Sequence, residues 1–145
     1  MARMEAFKTL LVAVDQSEQS NRAVGAARDL AGVSGGSVRL VHVREQQVIR
    51  AKGGGIFDVE EPEDVDQLLK EDIAVLKEAG ISVSAELRHA QLGGAASQII
   101  AAAKESSADV IVMGSRGRSE LAALLLGSTA YKVLHLADCP VLVVH

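Results

Sequence analysis

Residues 113 to 129 read MGSRGRSELAALLLGST, with Gly114, Gly117 and Gly127 separated by two and nine residues and followed directly by Ser128 and Thr129. Glycines so placed let backbone N–H groups approach an oxyanion, and a helix beginning near Ser128 would point its positive end at the same spot. The hydroxyls of Ser128 and Thr129 can add hydrogen bonds. Arg116 and Arg118 can supply charge, although each reads equally well as a solvated side chain. The chemistry implied is phosphate binding. A second group stands at the end of another apolar run, TLLVAVD, which closes on Asp15. An aspartate after a strand also caps the next helix, so that role stands beside a ligand role.

Other chemistries find no support. The GK[ST] signature of a P-loop is missing, and no Ser-His-Asp or Cys-His arrangement can be placed beside these residues. His42, His89, His135 and His145 are scattered without metal-ligand spacing, and His42 reads as a packed residue at a strand end. The single Cys139 can form no internal disulfide. It precedes Pro140 and reads as a small buried residue entering a strand. A formal charge of −4 and three aromatic residues, Phe7, Phe57 and Tyr131, argue against nucleic acid, which needs a basic face and stacking platforms. No stretch reaches ~18 consecutive apolar residues, so no membrane partner is expected. MARMEAFKTLLVAVD lacks the apolar core of a secretion signal, and the expected location is cytoplasmic.

What must position the glycine segment is an alternation of strands and helices within one domain, residues 1–145. TLLVAV (9–14) is a β-branched apolar run, the first strand. A helix follows with Ser17 as N-cap, Glu18 in its first turn, Ala23, Val24, Ala27, Leu30 and Ala31 on one face and Gly32 at its end. SVRLVHV (37–43) is the second strand, and residues 45–60, with three consecutive glycines, read as a mobile loop. Its AKGGGIFD portion could serve as a lid or be a plain surface loop.

Pro62 suits the first turn of a helix carrying Val65, Leu68, Leu69, Ile73 and Leu76 and stopped by Gly80. ISVSAEL (81–87) alternates, with Ser82, Ser84 and Glu86 on the outward face, and belongs at a sheet edge. Residues 95–105 form an Ala-rich helix around Ile99 and Ile100, and DVIVM (109–113) is apolar on both faces, as a central parallel strand must be. Ser128 caps a helix bearing Ala130, Val133, Leu134 and Ala137, and PVLVV (140–144) is the fifth strand.

Crossovers of this length predict an α/β fold with a doubly wound, five-stranded parallel sheet in the order 3-2-1-4-5 and helices on both faces. The order reverses between the first and fourth strands, where ligands bind. Asp15 and the glycine segment meet there. The last strand is an edge, yet Val141, Leu142, Val143 and Val144 are apolar on both faces, which predicts a two-fold homodimer through it.

These segments carry a resemblance that covers almost the whole chain. VAVDQSEQS, LVHV, GSRGRSELAALLLGST and ADCPVLVV resemble the first strand and turn, second strand, G-2x-G-9x-G-S/T motif and closing strand of the ATP-binding universal stress proteins. The resemblance implies that Asp15, the backbone of Ala13 and Val14, and Val43 surround the adenosine. It places Met113, Gly114, Arg116, Gly117, Gly127, Ser128 and Thr129 along the ribose and phosphates. It also implies a homodimer and a stress-response role.

The expected ligand is ATP or ADP, with AMP and a requirement for Mg²⁺ left open, and regulatory protein partners of unknown identity would read its occupancy. The chain reads as a binder more than a catalyst, slow ATP hydrolysis remaining open. An interaction module of the same fold without nucleotide is the competing reading. A phosphoacceptor receiver domain is disfavoured, since Asp15 is the only acid offered by the first strand, AELRH closes the third, and the chain ends at His145.

Overall fold

The computed structural model describes residues 6–48, 53–58, 62–116 and 126–145. In chain order its elements are β1 (Thr9–Ala13), α1 (Glu18–Ser34), β2 (Ser37–Val48), β3 (Ile56–Asp58), α2 (Pro62–Glu78), β4 (Val83–Gln91), α3 (Ala95–Glu105), β5 (Val110–Gly114), α4 (Ser128–Leu136) and β6 (Val141–Val144). Five strands run parallel in the order β4-β2-β1-β5-β6, which is the expected 3-2-1-4-5. The short β3 is an addition, antiparallel to the end of β2.

The sheet divides the interior into two cores by strict alternation. Leu10, Val12, Val38, Leu40, Val110 and Val112 pack with α1 and α2 on one face, and Leu11, Val41, Ile111 and Met113 with α3 and α4 on the other. Burial on both faces is why β1 and β5 read as unbroken apolar runs. Each such side chain contributes roughly 1.5–3 kcal/mol through removal from water. Asp109 fixes the start of β1, its Oδ2 accepting from the N–H groups of Lys8 and Thr9, both at 2.9 Å.

Several expectations need correction. The first helix does not end at Gly32, where an added side chain would meet nothing within 4 Å. It runs to Ser34 and stops at Gly35, whose φ of 70° needs glycine and whose N–H returns to Ala31 O. Its N-cap is Ser17, as expected. The expected loop over 45–60 is partly regular, since β2 continues to Val48 and residues 56–58 pair back onto it. Within α2, the buried face is Val65, Leu68, Asp72 and Leu76, so a carboxylate sits where periodicity predicts only aliphatics.

The third parallel strand is an edge, as expected, and Ile81–Ser84 keep the expected alternation, with Ile81 buried, Val83 half-buried and Ser82 and Ser84 exposed, but the exposures invert from Ala85 onward. Ala85 and Leu87 are exposed while Glu86 and Arg88 are half-buried. The cause is an ion network beneath α3. Glu86 Oε2 accepts from Arg39 at 3.0 Å, and Arg88 Nη1 donates to Glu105 at 2.8 Å and to Glu86 at 3.3 Å. The Arg88 guanidinium holds the Glu105 carboxyl below its usual range. Charged groups on an edge also discourage pairing with another chain. No described helix is long and apolar enough to cross a membrane.

Candidate functional site

The carboxyl ends of β1 and β5 meet where the strand order reverses, and the residues there are held by short backbone bonds. Val14 N–H donates to Val41 O at 2.9 Å, which carries β1 one residue further. Asp15 N–H then donates to Ser20 Oγ at 2.8 Å, and Asp15 Oδ1 accepts from Ser17 N–H at 2.7 Å. Ser17 Oγ in turn accepts from Ser20 N–H at 3.1 Å. Asp15 thus does not cap α1, which Ser17 does. One oxygen shapes the turn into α1, while Oδ2 has no hydrogen-bond partner among the described residues and the side chain is half-buried.

His42 supports this turn from beneath. It is buried, and its Nδ1 lies 2.6 Å from Val14 O. A carbonyl only accepts, so Nδ1 carries the proton and donates. The expectation of a packed histidine holds, with an orienting bond on the residue before Asp15 as an added job.

Among the described residues, Val43 stands in a gap on the β1 side of β2, where the last paired residue is Val41, opposite Ala13, and the next is Gln46, opposite Asp58. Backbone groups alternate in direction along a strand, and Gln46 O accepts from Leu92 N–H, on the β4 side. Even-numbered residues thus face β4, and the N–H and C=O of Val43 and Glu45 face the gap.

On the other side, Met113 is buried and Gly114 half-buried. Gly114 is glycine for a packing reason: a Cβ there would lie 2.8 Å from Gln19 Cβ and 3.0 Å from Gln19 C. It lets β5 press on the start of α1, next to the Asp15 turn. Ser115, which the sequence did not single out, is 2% exposed and ties three pieces together. Its N–H donates to Val144 O at 2.8 Å and its carbonyl accepts from Gly127 N–H at 2.6 Å. The glycine segment therefore leaves and returns at one point. The signal for Ser115 was its place between the last residue of a central strand and an arginine in a glycine-rich turn.

Helix α4 begins one residue from expectation, with Gly127 as the N-cap and Ser128 as the first helical residue. A glycine N-cap has no side chain to accept a bond, and the helix has no acidic residue in its first turn. The leading N–H groups at Ser128 and Thr129 thus form an unneutralised positive end. Arg116, half-buried beside it, makes no hydrogen bond or ion pair among the described residues. Gly117 and Arg118 lie outside the described residues. What the arrangement can do is bind an anion between the start of α4 and Arg116, and a planar polar group against the open edge of β2.

A separate cavity of about 170 Å³ opens at the amino-terminal end of β5 and β6, lined by Ile100, Ala103, Ile111 and Cys139 among others. Its rim carries the Lys104–Asp138 ion pair at 3.4 Å. Cys139 is half-buried rather than buried, and desolvation pushes its thiol up, away from thiolate chemistry at neutral pH. This cavity lies at the opposite end of the sheet from the candidate site.

Comparison with known proteins agrees with this geometry. The sequence pattern of the universal stress protein family matches residues 6–145. Universal stress protein YxiE of Bacillus subtilis is 38% identical over 147 residues, covering 95% of this chain and 99% of that one. A universal stress protein from Archaeoglobus fulgidus has the same fold, with a TM-score of 0.72 and 26% identity over 96% of this chain and 99% of that one. A universal stress protein solved in complex with cAMP gives a TM-score of 0.71 and 26% identity over 97% and 98%.

Proposed function

This chain belongs to the universal stress protein family, and on that premise we propose that it is a stress-response regulator that binds ATP or ADP at the crevice between β1 and β5. The observation that carries the proposal is the pairing of an uncapped helix start at Ser128 with the edge of β2 at Val43, which no described strand covers on the β1 side. The first suits phosphate and the second suits a base that offers both a donor and an acceptor. A related protein solved with cAMP supports an adenine ligand. In this proposal Val43 and the backbone of Ala13 and Val14 hold the base, Asp15 Oδ2 the ribose, and Met113, Gly114, Arg116, Gly127, Ser128 and Thr129 the phosphates, joined through the resemblance by Gly117, which lies outside the described residues. Mg²⁺ would arrive with the phosphates. A reducing, cytoplasmic setting suits the lone cysteine.

One observation favours the second reading, an interaction module without nucleotide. Gly114 and Gly127 already have structural work, against Gln19 and on Ser115 O. A thermal melt separates the two. A ligand at ~100 times its Kd stabilises by about 2.7 kcal/mol, and each kcal/mol moves the midpoint by roughly 2–4 °C for a domain of this size. ATP or ADP should raise the midpoint by about 5–10 °C; indifference to ATP, ADP and AMP would favour the module.

The active form in this proposal is a homodimer through β6. Among the described strands β6 pairs only with β5, and Leu142 is 40% exposed. Leu134, which periodicity assigned to the core, is 44% exposed on the neighbouring α4. Sedimentation at micromolar concentration should give twice the mass of the chain, and Leu142→Asp should halve it. A monomeric wild type would remove the dimer from the proposal.

A further inference from the structure

The cavity at the amino-terminal end of β5 and β6 has no part in the nucleotide reading, and its walls come from regular elements. Ile100 and Ala103 stand on one face of α3, Ala108 follows that helix, Ile111 lies on β5, and Ala137 and Cys139 join α4 to β6. Backbone bonds fix these walls: Ala108 N–H donates to Ala103 O at 2.9 Å, Ile111 N–H to Pro140 O at 3.0 Å and Ala137 N–H to Val133 O at 2.9 Å. The space is left because Ala103, Ala108 and Ala137 end at Cβ where longer side chains would meet. It measures about 170 Å³. A cavity of about 150 Å³ lined by aliphatic side chains stays dry and holds one benzene molecule.

Water suits this space poorly. An ordered water needs about two to four polar partners, whereas the N–H groups of Ala108, Ile111 and Ala137 are already engaged and a thiol is a weak donor. Anions are disfavoured as well. The mouth carries the Asp138 carboxylate and the negative, carboxyl-terminal end of α3, and the Lys104 ammonium there is already paired with Asp138 at 3.4 Å. Asp138 and Asp109 both act on the Cys139 thiol against its ionisation, so the field inside has the same sign. We propose that this cavity is a binding site for an uncharged apolar molecule the size of a single aromatic ring, entering past the Lys104–Asp138 pair. The site is separate from the crevice and does not depend on the nucleotide reading.

The test is a titration of the full chain with toluene, followed by methyl NMR. Saturable shifts are expected at Ile100, Ala103, Ala108, Ile111 and Ala137, and saturating toluene should slow alkylation of Cys139 by iodoacetamide at least about fivefold. Benzoate, the same ring with a charge to desolvate, should bind at least about tenfold more weakly. Ala108→Leu fills the space and should abolish the toluene shifts. Ile100→Ala enlarges it and should admit naphthalene, which the wild type rejects, so the test stands even where the filled variant does not fold. Toluene shifts that fail to saturate, or that persist in folded Ala108→Leu, would overturn the site, as would equal naphthalene binding by wild type and Ile100→Ala. Benzoate binding as tightly as toluene would overturn the class of ligand.

Discussion

Asp72→Asn raises the stability of the protein at pH 7 and leaves it unchanged near pH 4. Asp72 is 5% exposed, between Leu68 and Leu76 on the buried face of α2, and its Oδ2 is buried without a hydrogen-bond partner among the described residues. Burial, with a smaller push from Glu71, lifts its pKa from the ordinary 3.8 to about 6. Between those values the folded chain keeps a proton that the unfolded chain has released. Stability therefore falls as pH rises through that window and is lowest above it. A shift of about two units corresponds to about 3 kcal/mol, the upper limit of what the ionised carboxylate costs at neutral pH.

Asparagine has the shape of the protonated acid and does not titrate. Its gain at pH 7 should stay below that limit, about 1–2 kcal/mol, or roughly 2–8 °C in the midpoint. Denaturant unfolding from pH 4 to 7 checks it: the wild type should lose stability across the range relative to the variant. A variant no more stable at pH 7, or a difference that does not change with pH, would contradict the assignment.

Gly114→Ala should damage both the fold and the crevice. The new Cβ would meet Gln19 Cβ at 2.8 Å, Gln19 C at 3.0 Å and Ser20 N at 3.2 Å, which are distances that force movement. Two of those three atoms are backbone, so the start of α1 must shift as a unit. Overpacking of this kind costs about 1–3 kcal/mol. The shift travels directly to the site, because Ser20 Oγ holds Asp15 N–H and Ser20 N–H holds the Ser17 cap. ATP affinity should fall at least about tenfold, more than the stability loss explains, since about 1.4 kcal/mol of misplacement suffices. Unfolding midpoints and calorimetric titration measure the two effects. Unchanged affinity in a folded Gly114→Ala protein would detach this contact from binding.

Particular residues explain what the sequence could and could not disclose. The runs at Leu10–Val12 and Val110–Met113 are legible because burial on both faces leaves no room for a polar residue. The stop of α1 was misplaced because glycine is tolerated on the open face at Gly32, while the real stop depends on the positive φ of Gly35, a property of the backbone. The alternation of ISVSAEL holds over Ile81–Ser84 but fails beyond, since a partner strand and α3 supply Arg39 and Glu105 to cover Glu86 and Arg88. Asp72 escaped because a search for apolar period passes over a carboxylate at a core position. At the candidate site, spacing could not separate a glycine that admits a phosphate from one that admits Gln19, and the role of Ser115 depends on β6, distant in sequence but adjacent in space.

The central claim is that an adenine nucleotide occupies the gap between Val43 and the start of α4. Backbone amide shifts in the NMR spectrum, followed as ATP is added, test it most directly. The predicted result is saturable change confined to Ala13–Asp15, Val43, Gly114–Arg116 and Gly127–Thr129, with the cavity around Cys139 silent. Changes centred on Cys139, or none at ATP concentrations up to the millimolar range, would contradict it.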